Sequence, residues 1–238
     1  MSDRALLVGA TGLVGTELVA AAGRQDRVRL TGLARREKSL PRGARLEMLI
    51  ADPGGWDAII ADLKPDILFC ALGTTMAKAG GDKAAFRAVD RDLVLSCARA
   101  AAKSGARQAV VVSSIGANAA SRSFYLSLKG EVEREIGRMA FGRVDCLRPG
   151  LLRGDRGDDP RTGEGIAMKL APFTDLLMHG PLRQGRSIAA RDVARAMLAL
   201  AGAKADGRFV HDRDAMLTAI ARSAARQNLA NRPSSFAD

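Results

Sequence analysis

Ala5-Leu6-Leu7-Val8-Gly9-Ala10-Thr11-Gly12-Leu13-Val14-Gly15 is the stretch that decides the fold. Four apolar residues stopped by a glycine read as a short buried strand. From Gly12 to Ala22 the pattern is helical, with Leu13, Val14 and Leu18 on one side. Gly9, Gly12 and Gly15 fall between the two elements as GxxGxxG. Glycines allow the sharp turn from strand to helix. They also let a phosphate reach the backbone NH groups at the positive helix end. With 25 glycines in 238 residues, such a triplet arises by chance in about a quarter of chains. Position gives it weight, because it follows the first strand directly and opens an amphipathic helix.

The same alternation continues outward. Strands are predicted at 28–33, 46–50, 66–72, 109–112 and 143–147, with a short one at 208–211. Helices are predicted at 82–103 and 124–139, with helical stretches near 165–178 and 191–201. Short apolar strands alternating with helices mean βαβ units, a parallel sheet and right-handed crossovers. The expected fold is therefore α/β, a doubly wound parallel sheet of Rossmann type with a small C-terminal substrate-side extension. Residues 1–222 are read as one dinucleotide-binding domain, and 223–238 as a tail that frays at 231–235. Within that domain, 150–222 form the smaller substrate-side part. The Gly-, Asp- and Arg-rich run at 150–165 is its lid loop.

Composition narrows the function. The chain has 37 basic and 26 acidic residues, a net charge of +11. Eight of the basic residues are Lys and the rest Arg, scattered along the chain, so they read as solvated charges. Aromatics are 4%, too few for a base-stacking platform, and no base-reading motif is visible. No specific nucleic-acid binding is expected. No apolar run approaches the roughly 18 residues of a membrane span. The N-terminus is too short and too acidic for a signal peptide. Cys70, Cys97 and Cys146 sit in apolar segments, which suits a reducing compartment and core packing. Together these predict a cytoplasmic protein. With no CxxC and two His, at positions 179 and 211, no metal site is expected.

Two features point to the cofactor and the chemistry. An NAD binder usually offers Asp or Glu at the end of the second strand. Here Arg35-Arg36 follow Gly32-Leu33-Ala34, and guanidinium pairs well with phosphate, so NADP(H) is expected over NAD(H). The second feature is Tyr125-Leu-Ser-Leu-Lys129, a phenol and an ammonium one helical turn apart. A lysine cation favours the phenolate, so the Tyr can exchange a proton with a carbonyl or carbinol oxygen. The only Tyr of the chain meets a Lys at this spacing by chance about 3% of the time. Ser114, or its neighbour Ser113, ends the fifth strand and can hydrogen-bond the same oxygen. Asp52 is either a turn residue before Pro53-Gly54 or a neighbour of the adenine. Glu131, Glu133 and Glu135 read as a solvated helix face.

Gly9 to Gly15, Ser113-Ser114 and Tyr125/Lys129 resemble the short-chain dehydrogenase/reductase superfamily. Arg148-Pro149 with Gly154, and Arg191-Asp192-Val193-Ala194, resemble stretches of its extended and atypical branches. Ala71 to Thr75, Val89 to Asp92, Lys129 to Glu133 and Arg148 to Gly150 are similar to the branch of HIV-Tat-interacting-oxidoreductase-like proteins. The likeness spans about residues 4 to 202. It departs from the wider superfamily at Cys70-Ala71-Leu72-Gly73, where Asn-Asn-Ala-Gly is familiar, and in the short spacing from Ser114 to Tyr125.

The resemblance implies roles. Thr11, Gly12, Leu13 and Val14 would hold the pyrophosphate, and Arg35 and Arg36 the 2′-phosphate. Leu72 and Gly73 would line the adenosine side. Tyr125 would be the catalytic acid/base and Lys129 would bind the nicotinamide ribose. Leu152 would pack near the nicotinamide, and Arg161 would reach in from the loop. Two functions follow. One is an NADP(H)-dependent reductase of a small carbonyl compound. The other is an NADPH-loaded regulatory protein with little turnover, for which a protein partner or homodimer stays open. A nucleotide-sugar epimerase fits less well, because the chain is short for a sugar-nucleotide lobe.

Overall fold

The computed structural model describes residues 2–24, 27–154 and 186–230. β1 (Asp3–Val8) feeds α1 (Leu13–Ala22), and β2 (Val28–Ala34), β3 (Glu47–Ile50), α2 (Trp56–Leu63) and β4 (Ile67–Cys70) follow. The next helical run has three continuous parts: α3 (Lys83–Arg87), a π-helical turn (Ala88–Leu93) and α4 (Val94–Lys103). Then come β5 (Gln108–Val112), α5 (Phe124–Gly137) and β6 (Arg143–Leu147). A small parallel pair, β7 (Leu152–Arg153) and β8 (Ile188–Ala189), precedes α6 (Ala190–Leu200), β9 (Gly207–His211) and α7 (Arg213–Ala230).

Seven strands form one sheet in the order β3-β2-β1-β4-β5-β6-β9, and every neighbouring pair is parallel. This is the expected Rossmann-type α/β fold. Each central strand buries both faces, which is why its sequence is apolar without alternation. Leu7, Phe69 and Val110 join α1 and α6 in one layer. Leu6, Leu68 and Val111 join α2, α4 and α5 in the other. Each such fully buried side chain contributes about 1.5–3 kcal/mol of transfer free energy.

The structure departs from the sequence expectations in places. α2 has no counterpart among the predicted helices. It is eight residues long, and it buries Trp56 and Ile60, one turn apart. Asp52 belongs to the turn before it, where its Oδ1 accepts from Gly54 N at 2.9 Å. β4 ends at Cys70, two residues early. Ala71 N still bonds Val8 O, but beyond it the chain passes against Gly9. α7 runs unbroken across residue 222. The stretch 165–178, the end of the tail and most of the 150–165 loop lie outside the described residues.

The last strand is fastened by a buried polar network. Asp145, fully buried, accepts from Arg143 Nε and Nη2 (both 2.7 Å) and from Gln108 Nε2 at 2.8 Å. His211 Nε2 lies 2.8 Å from Asp145 Oδ1. Gln108 also bonds Leu200 O and Gly202 N, and Arg143 bonds Ala205 O. His211 thus belongs to the buried network. Burial by itself would raise the Asp145 carboxyl. The hydrogen bonds from His211, Arg143 and Gln108, with the Arg143 charge, outweigh burial and hold it below the ordinary carboxylate range. A depressed folded-state value stabilises the protein above the unfolded value of about 4, and that stabilisation fades as pH falls. Wild-type melting temperature is therefore expected to drop more between pH 5 and pH 3 (on the order of the carboxylate range) than that of Asp145→Asn. Parallel melting curves would refute this.

Candidate active site

The glycine turn has the shape its sequence implied. Gly9 has φ +89°, and a Cβ there would sit 2.5 Å from the Ala71 carbonyl carbon. A Cβ on Gly15 would run into the Gly9 carbonyl oxygen and lie 2.8 Å from Ala10 Cα. Gly12 N donates to Gly9 O at 3.0 Å, and Gly12 begins α1 with no side-chain cap. The first NH groups of α1 thus have no side-chain acceptor, which suits a phosphate at the helix start. Val14 is different. Its side chain is in the core, so only its backbone can serve a ligand. Leu13 packs beneath Gly154, whose Cβ would lie 2.8 Å from Leu13 Cδ1.

Arg35 and Arg36 stand exposed immediately beyond β2. Lys38 follows, and its Nζ donates to Thr11 O at 3.0 Å. An ammonium is therefore held on the glycine turn itself. Sequence reasoning stopped at the two arginines and missed Lys38; a third basic residue within the same short run was the available signal.

The β4 exit carries the site toward α5. The Ala71–Leu72 peptide lies against Gly9, and a Cβ on Gly73 would lie 3.5 Å from Asp90 Oδ1. Asp90 sits in the π-helical turn and is 1% exposed. Its Oδ2 accepts from Thr74 N at 2.6 Å, and its Oδ1 from Lys129 Nζ at 2.8 Å. Lys129 is likewise buried, with its Nζ 5.8 Å from the centre of the Tyr125 ring. Burial alone would lower the Lys129 ammonium. The Asp90 charge, with smaller help from Tyr125 and the Asp90 hydrogen bond, holds it above the usual lysine value. In the sequence Asp90 stands only as part of the Val89 to Asp92 resemblance, with no role of its own, because a π turn inside a helix has no distinct residue pattern.

Tyr125 is 40% exposed, and its hydroxyl bonds no other described residue. Ser114 donates its hydroxyl to Ile115 O at 3.3 Å and makes no hydrogen bond to Tyr125. Ser113 behaves differently. Its NH continues the β5–β6 ladder to Leu147 O at 2.7 Å, and its hydroxyl is buried without a partner. Ala109 and Val111 pack with α4 and α5, so the two-residue period of a strand aims Ser113 at that layer too. The loop beyond is pressed onto α5. Asn118 N donates to Leu126 O at 3.1 Å, and a Cβ on Gly130 would run into the Asn118–Ala119 backbone.

The supposed solvated face of α5 is a row of anchors instead. Glu131 accepts from Arg87 and Arg91, and Glu133 takes both arms of Arg148, at 2.9 and 2.5 Å. Arg148-Pro149 thereby fixes the chain leading to Leu152, which packs against the α1 and α6 layer. Arg161 and His179 lie outside the described residues. Cys70, Cys97 and Cys146 are buried free thiols, and burial, the largest influence, pushes Cys70 up to about 11. Among the described residues no cluster could hold a metal ion, and no helix is long and apolar enough to cross a membrane.

Residues 9–204 match a family described as NAD(P)H-binding. The chain is 36% identical over 173 residues to a Candida albicans protein named "Protein FMP52, mitochondrial", covering 71% of this chain and 75% of that one. With the Aspergillus fumigatus protein of that name it shares 34% over 197 residues, covering 80% and 83%. Two solved structures share the fold. The Bordetella bronchiseptica enzyme WbmG in complex with NAD has a TM-score of 0.64 at 17% identity, over 100% of this chain and 82% of that one. A Thermotoga maritima UDP-glucose 4-epimerase with UDP-glucose has 0.66 at 14%, over 97% and 84%. The relatives' names correct one expectation: they are labelled mitochondrial, against the cytoplasmic location expected from the cysteines, the N-terminus and the lack of a long apolar run.

Proposed function

Because the chain belongs to the NAD(P)H-binding family, we propose that it is an oxidoreductase of short-chain dehydrogenase type that reduces a small carbonyl compound with NADP(H). One observation carries this reading. The glycine turn, the β4 exit, Asp90, Lys129 and Tyr125 form a continuous row of contacts at the carboxyl ends of the strands. The tight turn that glycine at positions 9 and 15 permits, with the uncapped start of α1 beyond it, fits a pyrophosphate. Thr11, Gly12, Leu13 and the backbone of Val14 would hold it. Arg35, Arg36 and Lys38 would meet the 2′-phosphate, and Leu72 and Gly73 the adenosine side.

When bound, the nicotinamide cofactor supplies the hydride that reduces a carbonyl carbon. The protein manages the proton. Tyr125, its hydroxyl unengaged, donates a proton to the carbonyl oxygen as negative charge develops there. Lys129 keeps a cation beside the phenol, and Asp90 positions that cation. Ser113, with its orphaned hydroxyl, is a better candidate than Ser114 for a second hydrogen bond to the oxygen. The resemblances at Ala71 to Thr75 and Lys129 to Glu133 favour the HIV-Tat-interacting-oxidoreductase-like branch. The relatives' names favour a mitochondrial location. A second reading, an NADPH-loaded regulatory protein, is favoured by the enclosure of Ser113 and the engagement of Lys129 by Asp90.

Calorimetry with each cofactor tests the cofactor reading. A charge-assisted phosphate contact contributes about 1.5–3 kcal/mol, so NADPH is expected to bind about ten- to a hundredfold more tightly than NADH. Arg35→Ala with Arg36→Ala is expected to shrink the difference to what Lys38 alone supplies. Equal affinities for the wild type would overturn the preference.

A further inference from the structure

Aromatic residues are scarce in this chain, with seven Phe, one Trp and one Tyr. Two of the Phe and the only Tyr meet at the start of α5. Phe86, 2% exposed, is the backing of the group. The Phe124 ring stands edge-on to it at 5.9 Å and 63°, and the Tyr125 ring at 6.1 Å and 73°. These edge contacts fix both rings while leaving Tyr125 open to solvent and Phe124 half-buried. Above the Phe124 ring, 5.5 Å from its centre, lies the Lys83 ammonium. Lys83 is in no ion pair among the described residues, unlike Lys129 or Arg148.

From this grouping we infer that the substrate is a flat, apolar carbonyl compound with an anionic arm, such as an aryl or enone carboxylate; the inference rests on the oxidoreductase reading above. The planar body lies along the Tyr125 and Phe124 side, where burial of apolar surface and ring contacts hold it. Its carbonyl oxygen meets the Tyr125 hydroxyl, and its carboxylate meets Lys83. Phe124 carries no hydrogen-bonding group, so beyond Tyr125 and Lys83 this wall gives the many hydroxyls of a UDP-sugar few partners. In the reduction, hydride from NADPH forms the new C–H bond while the Tyr125 proton goes to oxygen. The products are the alcohol and NADP+, and solvent returns the proton to Tyr125.

The test uses the full chain saturated with NADPH, assayed with 4-formylbenzoate, benzaldehyde and butanal, while binding of 2-naphthoate is followed by fluorescence in the presence of NADP+. The specificity constant kcat/KM is expected to favour 4-formylbenzoate over benzaldehyde, and benzaldehyde over butanal. Lys83→Ala should cut the first preference about tenfold and weaken 2-naphthoate to a similar degree, a loss of one cation–carboxylate contact. Phe124→Ala should cut the second. Unchanged preferences in both variants, or UDP-glucose displacing 2-naphthoate, would overturn the substrate class while NADPH binding stands. Failure to bind NADPH at all would sink the oxidoreductase reading itself. If the cofactor binds without turnover, the 2-naphthoate affinities of wild type and Lys83→Ala decide the substrate class alone.

Discussion

Tyr125→Phe is expected to lower carbonyl reduction by a factor of about 10²–10⁴, the range associated with a positioned general acid, while NADPH affinity is kept. The substitution removes one oxygen and nothing else. That oxygen bonds no described residue, and the ring keeps its edge contact with Phe86. Melting temperature should therefore hold, since a surface change without lost partners stays within about 0.5 kcal/mol. A loss of turnover then reports chemistry and not folding. Steady-state kinetics beside calorimetry separates the two functional readings. A regulatory protein has no comparable turnover to lose, and its partner binding should survive the substitution. Turnover that persists at the wild-type rate would remove Tyr125 from the mechanism.

Asp90→Ala should cost about 3–5 kcal/mol of stability, because it strands the Lys129 ammonium in the core. The pair is among the most enclosed of the described residues, with side chains 2% and 8% exposed. Thr74 N loses its acceptor in the same step. Urea unfolding of Asp90→Ala beside Asp90→Asn measures the charge separately from the hydrogen bonds, since Asn can still accept from Thr74 N. Asn should recover part of the loss. Its kcat should also respond to pH at a lower value than the wild type does, because Lys129 would no longer have the negative charge that favours its ammonium form. A loss under about 1 kcal/mol for Asp90→Ala would mean that Lys129 finds another partner or water.

Much of this was legible in the chain. The alternation of apolar runs with helices yielded the parallel sheet, because strands buried on both faces cannot hide their composition. The glycines at 9, 12 and 15 and the Tyr125/Lys129 spacing were legible because each relation is local, a turn or one helical step. What escaped notice was relational over distance. Asp90 looks like a solvated acid between Val89 and Arg91, and only the π turn and the third dimension place it under Lys129. Glu133 and Arg148 each look like surface charges until they pair across 15 positions. Which serine faces the α5 layer depends on the phase of β5, which two adjacent serines cannot reveal.

The polar network at β9 bears on the order in which the chain becomes a protein. Gln108 is tied to Leu200 across 92 positions and Asp145 to His211 across 66. During synthesis the glycine turn, the Tyr125/Lys129 helix and six strands of the main sheet leave the ribosome first. The strand that closes the far edge comes after all six. Until it arrives, Arg143 and Asp145 stand at an open parallel edge in water, where their charges deter pairing with a neighbouring chain. The nascent chain thus guards its unfinished side with the same pair that later locks it. Because the glycine turn and the Tyr125/Lys129 helix lie in the portion made first, a cofactor present at the ribosome could engage the growing chain before its sheet is closed.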